Sequence, residues 1–403
     1  MVLAMFSVSN AEDTSFEQCL NRLKSQAANQ GFSPSLINDV FSQVNQREQL
    51  VKLDRSQAEF TETFWQYLQN RVTSQRVERG RELLQEHGPL LRRIAADYGV
   101  RPEYLLAFWG METNYGTFFG NTPVFDALTT LACDGRREEF FSTQLMHALS
   151  IVQEGSVEPE RMRGSWAGAM GHTQFMPSTF TAYAVDYDGN GRRDLWNSLP
   201  DAFASSANYL SSMGWRDGER WGREVYLPDN FDYSQADLGN RQPLSYWRQQ
   251  GVTQVDGKPV ANLDMPAAVI LPQGHQGPAF VVYHNFHLIM RWNRSVSFAL
   301  AVGHLSDRIA GMGNLATSPP SNEEMHRLSR SDVKELQQRL ADLGLYNHPE
   351  ATGTIGPETR NATRRFQQLV DMPADAYPTR QILERLREVD VSGDQVSYRY
   401  VVN

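Results

Sequence analysis

The stretch Leu105-Leu106-Ala107-Phe108-Trp109-Gly110-Met111-Glu112-Thr113-Asn114-Tyr115-Gly116 decides how this chain is read. It predicts a strongly apolar helix from Pro102 to about Gly116, with Pro102 suited to the first turn. A single carboxylate stands inside it. On a helix, Phe108 and Trp109 lie one turn before Glu112, and Tyr115 nearly one turn after. Desolvation disfavours the charged form, so the Glu112 carboxyl is expected to titrate above its reference of about 4.3. A carboxylic acid still protonated near neutral pH suits general-acid catalysis on a glycosidic oxygen. The nearest upstream carboxylate, Glu103, falls on the opposite helix face, so no local partner carboxylate exists. The alternative is a glutamate at a helix end that reaches solvent.

Around this helix the chain reads as mainly α with a small β part. Residues 14 to about 98 are helical by spacing, with Phe16, Leu20 and Leu23, then Phe60, Phe64 and Leu68, and a break at Gly31-Phe32-Ser33-Pro34. Further helices are expected over 202–213 and 297–309. Between them, residues 223–283 are richer in Pro and Gly. The runs Ala267 to Leu271 and Ala279 to Tyr283 look like strands there. Residues 312–325 form a linker whose Ser318-Pro319-Pro320-Ser321 cannot continue a helix. Beyond it, 326–389 read as a compact three-helix segment, and 390–403 as a tail. Asp332 with Glu335 makes a capping-box-like start. Val333, Leu336, Leu340 and Leu343 form one stripe that Gly344 ends.

Composition narrows the function classes. The 403 residues allow roughly two to three domains, and 40% hydrophobic content supplies ample core. A net charge of −9 argues against nucleic acid, which needs a basic face. The C-terminal segment carries 10 basic and 9 acidic residues, so the negative charge belongs to the larger part. No apolar run approaches the roughly 20 residues of a membrane span. Residues 1–11 end in Ser9-x-Ala11 and read either as the tail of a signal peptide or as an ordinary disordered terminus. Cys19 and Cys133 are too few for a disulfide scaffold or a cysteine metal site. They form one disulfide or stay as two buried thiols.

Two further stretches carry chemistry. Gly164-Ser165-Trp166-Ala167-Gly168-Ala169-Met170-Gly171-His172-Thr173-Gln174-Phe175-Met176-Pro177-Ser178 lets backbone approach closely. Its Ser165, Gln174 and Ser178 offer uncharged hydrogen bonds suited to sugar hydroxyls and acetamido groups. A tight helix crossing would use the same glycines, and His172 reads as structural. The second stretch is Asp186-Tyr187-Asp188-Gly189-Asn190-Gly191-Arg192-Arg193-Asp194-Leu195-Trp196-Asn197. It places oxygens at positions 1, 3, 5 and 9 of an EF-hand-like calcium loop, with Gly191 at position 6 and the Arg192 carbonyl at position 7. Asn197 stands where a bidentate Glu is usual, and Asp201 would replace it in a longer loop. The alternative is an Asx-rich turn.

Together these stretches resemble the lytic transglycosylase B family of bacterial peptidoglycan-cleaving enzymes, over about residues 14–310. Three motifs match in order: Gly-x-Glu-Thr-x-x-Gly around Glu112, the run from Ser165 to Ser178, and the calcium-like loop before Asn208-Tyr209. Asn285-Phe286 and Arg291-Trp292-Asn293 look like the family's closing motif. The segment after the linker resembles a peptidoglycan-binding module, with Thr352-Gly353 where that module usually has Asp-Gly.

The resemblance implies a lysozyme-like core (99–222 and 284–311) with an extra helical part (12–98) and a β-containing insertion (223–283). It implies cleavage of the β-1,4 bond between N-acetylmuramic acid and N-acetylglucosamine without water. Glu112 would act as acid and then as base, leaving a 1,6-anhydro end, which accounts for the missing second carboxylate. Ser165, Gln174, Tyr209, Tyr283 and Asn285 would hold sugar. Asp186, Asp188, Asn190, Arg192 and Asp201 would hold a structural Ca2+, with no cofactor for the chemistry itself. The expected setting is a soluble monomer in the periplasm of a Gram-negative bacterium, acting on glycan strands. The alternatives are a hydrolytic muramidase using the same acid, a non-catalytic peptidoglycan scaffold, and a calcium sensor.

Overall fold

The computed structural model describes residues 9–55, 62–321 and 328–389. Residues 1–8, 56–61, 322–327 and 390–403 lie outside the described residues, and with them most of the expected terminal segment, Phe60, part of the linker and the tail. Ser9 to Ala11 already belong to the first helix.

In chain order the first helices are α1 (Ser9–Asn29), α2 (Pro34–Phe41), α3 (Glu48–Arg55), α4 (Phe64–Arg71), α5 (Ser74–Glu86) and α6 (Gly88–Tyr98). Local chemistry sets their starts. The Ser33 hydroxyl accepts from the Leu36 N–H at 3.2 Å, with Pro34 in the first turn of α2. Then follow α7 (Pro102–Thr113), a strand β1 (Thr122–Pro123), α8 (Val124–Cys133), α9 (Glu138–Gln153), β2 (Arg163–Gly164), α10 (Pro177–Tyr183) and α11 (Leu199–Ser212). The remainder is β3 (Gly222–Tyr226), β4 (Gln242–Pro243), α12 (Leu244–Gln249), β5 (Thr253–Gln254), β6 (Pro266–Ile270), β7 (Ala279–Val282), α13 (His284–Trp292), α14 (Val296–Ile309) and α15 to α17 (Arg330–Asp342, Pro357–Leu369, Arg380–Glu388). The chain is therefore mainly helical, with a five-stranded sheet, a two-stranded ladder of β1 and β2, and a terminal three-helix module.

By contacts the chain divides into two compact units, residues 1–57 with 75–217, and 58–74 with 218–403. In the first, α8 packs on α9, α9 on α10, and α6 on α11. The two cysteines are joined: Cys19 of α1 bridges Cys133 at the end of α8, with Cα atoms 5.8 Å apart. The bridge closes a loop of 114 residues, worth about 4–5 kcal/mol on chain-entropy grounds. Docking of α3 on α8 is electrostatic as well as apolar. Arg47 reaches Asp126 at 2.8 Å, and Arg136 donates to the buried Asp54 from Nε at 2.7 Å.

The second unit is built on an antiparallel sheet of order β4-β6-β7-β3-β5. Gly222 opposes Val282, and Ala268 opposes the same Val282 from the other side. Trp221, just before β3, is buried against Phe280 and Phe286. Its indole N–H donates to Asp307 on α14 at 3.1 Å. A Cβ on Gly303 would meet the Trp221 ring at 2.4 Å, so only glycine lets α14 approach. Helix α4 joins this unit through Phe64, 5.9 Å from Phe280.

The C-terminal module has a core of Val333, Leu336, Leu340, Ala362, Phe366, Ile382, Leu383 and Leu386. Its first helix is capped one turn earlier than the sequence suggests. Ser329 and Asp332 exchange both capping-box bonds, because Asp332 sits at the third helical position and Glu335 is free to pair with Arg387 and Arg339. The module is seated on the sheet region of its own unit. Asp375, 6% exposed, accepts from the His275 backbone N–H at 2.8 Å and meets its Nδ1 at 2.6 Å. Arg364 meets Asp237 at 3.2 Å. The linker is also partly fixed: the Ala316 and Thr317 N–H groups donate to the two oxygens of Glu224 at 2.6 and 2.8 Å.

Candidate active site

Glu112 lies on the last turn of α7, half-buried, one residue before the helix stops. The stop is a conformational one. Asn114 and Tyr115 take the left-handed region at φ 49° and 59°, followed by Gly116 at 77°. Local bonds offset the strain of two consecutive non-glycine residues there. The Asn114 carboxamide accepts from Arg76 Nε at 3.2 Å, the Tyr115 hydroxyl donates to the Arg76 carbonyl at 2.8 Å, and the Gly116 N–H donates to Thr113 Oγ1 at 3.0 Å. Burial pushes the Tyr115 phenol well above its ordinary range. Asn114 is the helix stop.

The aromatic setting of Glu112 is a stack centred on Trp109, which meets Tyr115, His172 and Phe203 edge-on at 5.6, 5.5 and 5.1 Å. The Trp109 indole N–H donates to His172 Nδ1 at 2.8 Å. An imidazole that accepts on Nδ1 is neutral, and burial lowers its pKa to about 4. His172 is thus a structural acceptor, as its sequence setting suggests. It also explains Gly116, where a Cβ would strike the imidazole at 2.6 Å. The contact joins the end of α7 to the 164–178 stretch, which lies far along the chain.

That stretch folds back on itself. The Ser165 N–H donates to the Ala169 carbonyl at 2.8 Å, and its hydroxyl accepts from the Ala167 and Ala169 N–H groups at 3.3 and 3.1 Å. Ser165 keeps its hydroxyl proton for a further acceptor and is half-buried. Gln174 sits at φ 48°, and its amide donates to the Phe119 and Gly171 carbonyls at 3.2 and 3.0 Å. The Ser178 N–H donates to Gln144 at 2.9 Å. Tyr209, on α11, packs edge-on against Tyr183 at 5.1 Å and tilted against Phe175 at 5.8 Å. Glu112, Ser165, Gln174 and Tyr209 all belong to the first unit.

Tyr283 and Asn285 belong to the second. Tyr283 is 3% exposed, with burial raising its phenol pKa and Arg223 opposing the rise. Asn285 is fully buried and its amide donates to the Glu219 carbonyl at 2.8 Å, while the Glu219 carboxylate accepts from the His284 N–H at 2.7 Å.

The acidic loop gathers Asp186, Asp188 and Asp201, with carboxylate oxygens within 4.8 Å of one another. Asp186 accepts three backbone N–H groups, from Gly189, Asn190 and Gly191. Asp201, fully buried at the start of α11, accepts from Tyr187, Asp188 and Asp194. Burial raises its pKa, with those three N–H bonds opposing. Position 9 of the loop does not join the cluster: Asp194 instead closes the following turn onto Trp196 and Asn197. The Asn190 carboxamide accepts from the Arg192 N–H at 2.9 Å. Three converging oxygen donors, one of them buried, fit a hard divalent cation.

Residues 15–307 match the family model described as the transglycosylase SLT domain, and residues 329–386 match that of a peptidoglycan binding domain. The chain is 30% identical over 295 residues to membrane-bound lytic murein transglycosylase B of Escherichia coli K12, spanning 70% of this chain and 79% of that one. It is similar to SltB3 from Pseudomonas aeruginosa, solved in complex with NAG-anhNAM-pentapeptide, at 45% identity and a TM-score of 0.88 over 92% of this chain and 99% of that one. The Escherichia coli lytic transglycosylase Slt35 in complex with calcium is 28% identical, with a TM-score of 0.62 over 73% of this chain and 92% of that one.

Proposed function

This chain belongs to the transglycosylase SLT-domain family and is a lytic transglycosylase, and from that premise we propose that Glu112 is its single acid and base. The observation that carries the assignment is the Trp109–His172 bond. Through it the end of α7 and the sugar-compatible 164–178 stretch stand side by side. In the proposed cycle the Glu112 carboxyl gives its proton to the glycosidic oxygen as the bond to the N-acetylmuramic acid carbon breaks. The resulting carboxylate then takes the proton of that sugar's 6-hydroxyl as its oxygen closes on the same carbon. One proton is given and one recovered, no water enters, and a 1,6-anhydro end results. The reaction class needs no cofactor.

Ser165, Gln174 and Tyr209 are proposed to position sugar, the first two by neutral hydrogen bonds and Tyr209 by its ring. The set extends to Tyr283 and Asn285; both are closed over by their own unit, so their proposed part is to hold backbone in place. Asp186, Asp188 and Asp201 would hold Ca2+ with the Arg192 carbonyl and Asn190, tying the loop to the start of α11. The proposed substrate is a glycan strand that still carries its peptide stems, as the SltB3 ligand does. The proposed setting is the periplasm, with the chain acting as a monomer. Among the described residues no helix is long and apolar enough to cross a membrane.

Digestion of purified peptidoglycan with wild type and Glu112→Gln, followed by product masses, tests the assignment. Products one water lighter than those of a muramidase are expected from wild type. Reducing ends in their place would overturn the anhydro route, and full activity in Glu112→Gln would remove Glu112 from it.

A further inference from the structure

The first unit holds an open recess of about 350 Å³ lined by Arg47, Gln49, Asn121, Thr122, Pro123 and Arg163. We infer that this recess binds a free carboxylate of the peptide stem while the neighbouring loop binds sugar. The inference rests on the substrate reading above.

Its charge is lopsided. Arg47 is pinned from below: its Nε and Nη2 both reach Asp126 at 2.8 Å, and Asp126 also accepts the Asn45 N–H at 3.0 Å. That fixes the orientation of one guanidinium at low further entropy cost. Arg163 is exposed and donates from Nη1 to the Asn121 carbonyl at 3.0 Å, with no carboxylate in ion-pair range among the described residues. Two guanidiniums over one carboxylate leave a surplus positive charge in a recess whose other polar lining is neutral. A structural ion pair needs only the first. Asp126 takes the Nε–Nη2 edge of Arg47, and the other N–H groups of this oriented guanidinium, beside a second cation, suit a carboxylate.

Position supplies the second argument. The recess and the sugar loop share the two-stranded ladder: Pro123 opposes Arg163, and Thr122 opposes Gly164. Ser165 follows directly, and the Phe119 carbonyl at the other end of the same segment holds Gln174. At about 3.3 Å per residue, Arg163 stands roughly 7 Å of strand from Ser165. A peptide advancing about 3.3–3.6 Å per residue from the muramic acid lactyl group spans that distance in a few residues.

The test is affinity measured without turnover. Full-length Glu112→Gln is titrated with NAG-NAM disaccharide, with the same disaccharide carrying its pentapeptide, and with that pentapeptide amidated at its carboxyls. The stemmed ligand should bind about tenfold tighter than either of the others. Adding Arg163→Glu should remove that advantage, Gln49→Glu should cut it several-fold, and Gln49→Lys should increase it. Arg163→Lys should keep at least half of it, which separates lost charge from lost fold. Equal affinities for stemmed and amidated ligands, or an advantage that survives Arg163→Glu, would overturn the proposal. If neither sugar ligand binds, the substrate reading beneath it fails as well.

Discussion

The 164–178 loop and the acidic loop at 186–201 are both glycine-punctuated, yet their glycines serve different ends. In the first, backbone touches backbone. A Cβ on Gly164 would lie 2.0 Å from the Ala169 carbonyl oxygen, with no unusual φ involved. In the second, Gly189 and Gly191 turn at φ 74° and 88° with nothing within 4 Å of where a Cβ would stand. One loop is defined by close packing against fixed neighbours. The other is defined by carboxylates that accept its own N–H groups. Glycine thus answers steric exclusion in the first loop, joined by a positive φ at Gly168 and Gly171, and conformation alone in the second.

That contrast can be attacked from both sides. The largest effect is expected at the packed side, where the chemistry is proposed to sit: Glu112→Gln should lower turnover of peptidoglycan by about a thousandfold or more while leaving the melting temperature near wild type, checked by product release and calorimetry. Next, Gly164→Ala should cost about 3 kcal/mol or more, since a backbone oxygen cannot yield as a side chain can. Denaturant titration reads this, and a loss under 1 kcal/mol would show that the loop relaxes. On the acidic side, chelation should lower the melting temperature by several degrees, because calcium at a hundred times its dissociation constant contributes about 2.7 kcal/mol. Asp188→Asn should abolish that response. A melting temperature indifferent to chelator in wild type would leave the cluster as an Asx-rich turn. Smallest of all, Gly189→Ala should cost about 1–2 kcal/mol, the penalty of the left-handed region alone.

Glu112, the glycine loop and the acidic loop each stand out in the chain as a short run of suggestive residue types, with an alternative use that the run alone leaves open. What the runs did not reveal was their partners. Trp109 and His172 read separately as a core aromatic and a structural histidine; that they bond to each other depends on packing that joins residues 63 positions apart. Asp201 could be offered only as a substitute for Asn197. Its place in the cluster follows from its position at the buried start of α11, where it meets the N–H groups of Tyr187 and Asp188. The Arg47–Arg163 recess left no mark at all, because its two arginines come from distant segments, Arg163 placed by the β1–β2 ladder and Arg47 by Asp126 of α8.

By itself, the sequence determined the mainly helical class, the small sheet, the Pro/Ser linker, the terminal three-helix module and the family. These rest on periodicity, turn residues and local motifs, which act over a few residues. Only the tertiary structure decided that Cys19 and Cys133 form a bridge, that α4 leaves its neighbours to pack against Phe280, and that the module is seated through His275 and Asp375. Each of these joins residues far apart in the chain, and such a pairing is selected by the packing of the whole unit rather than by anything near either partner.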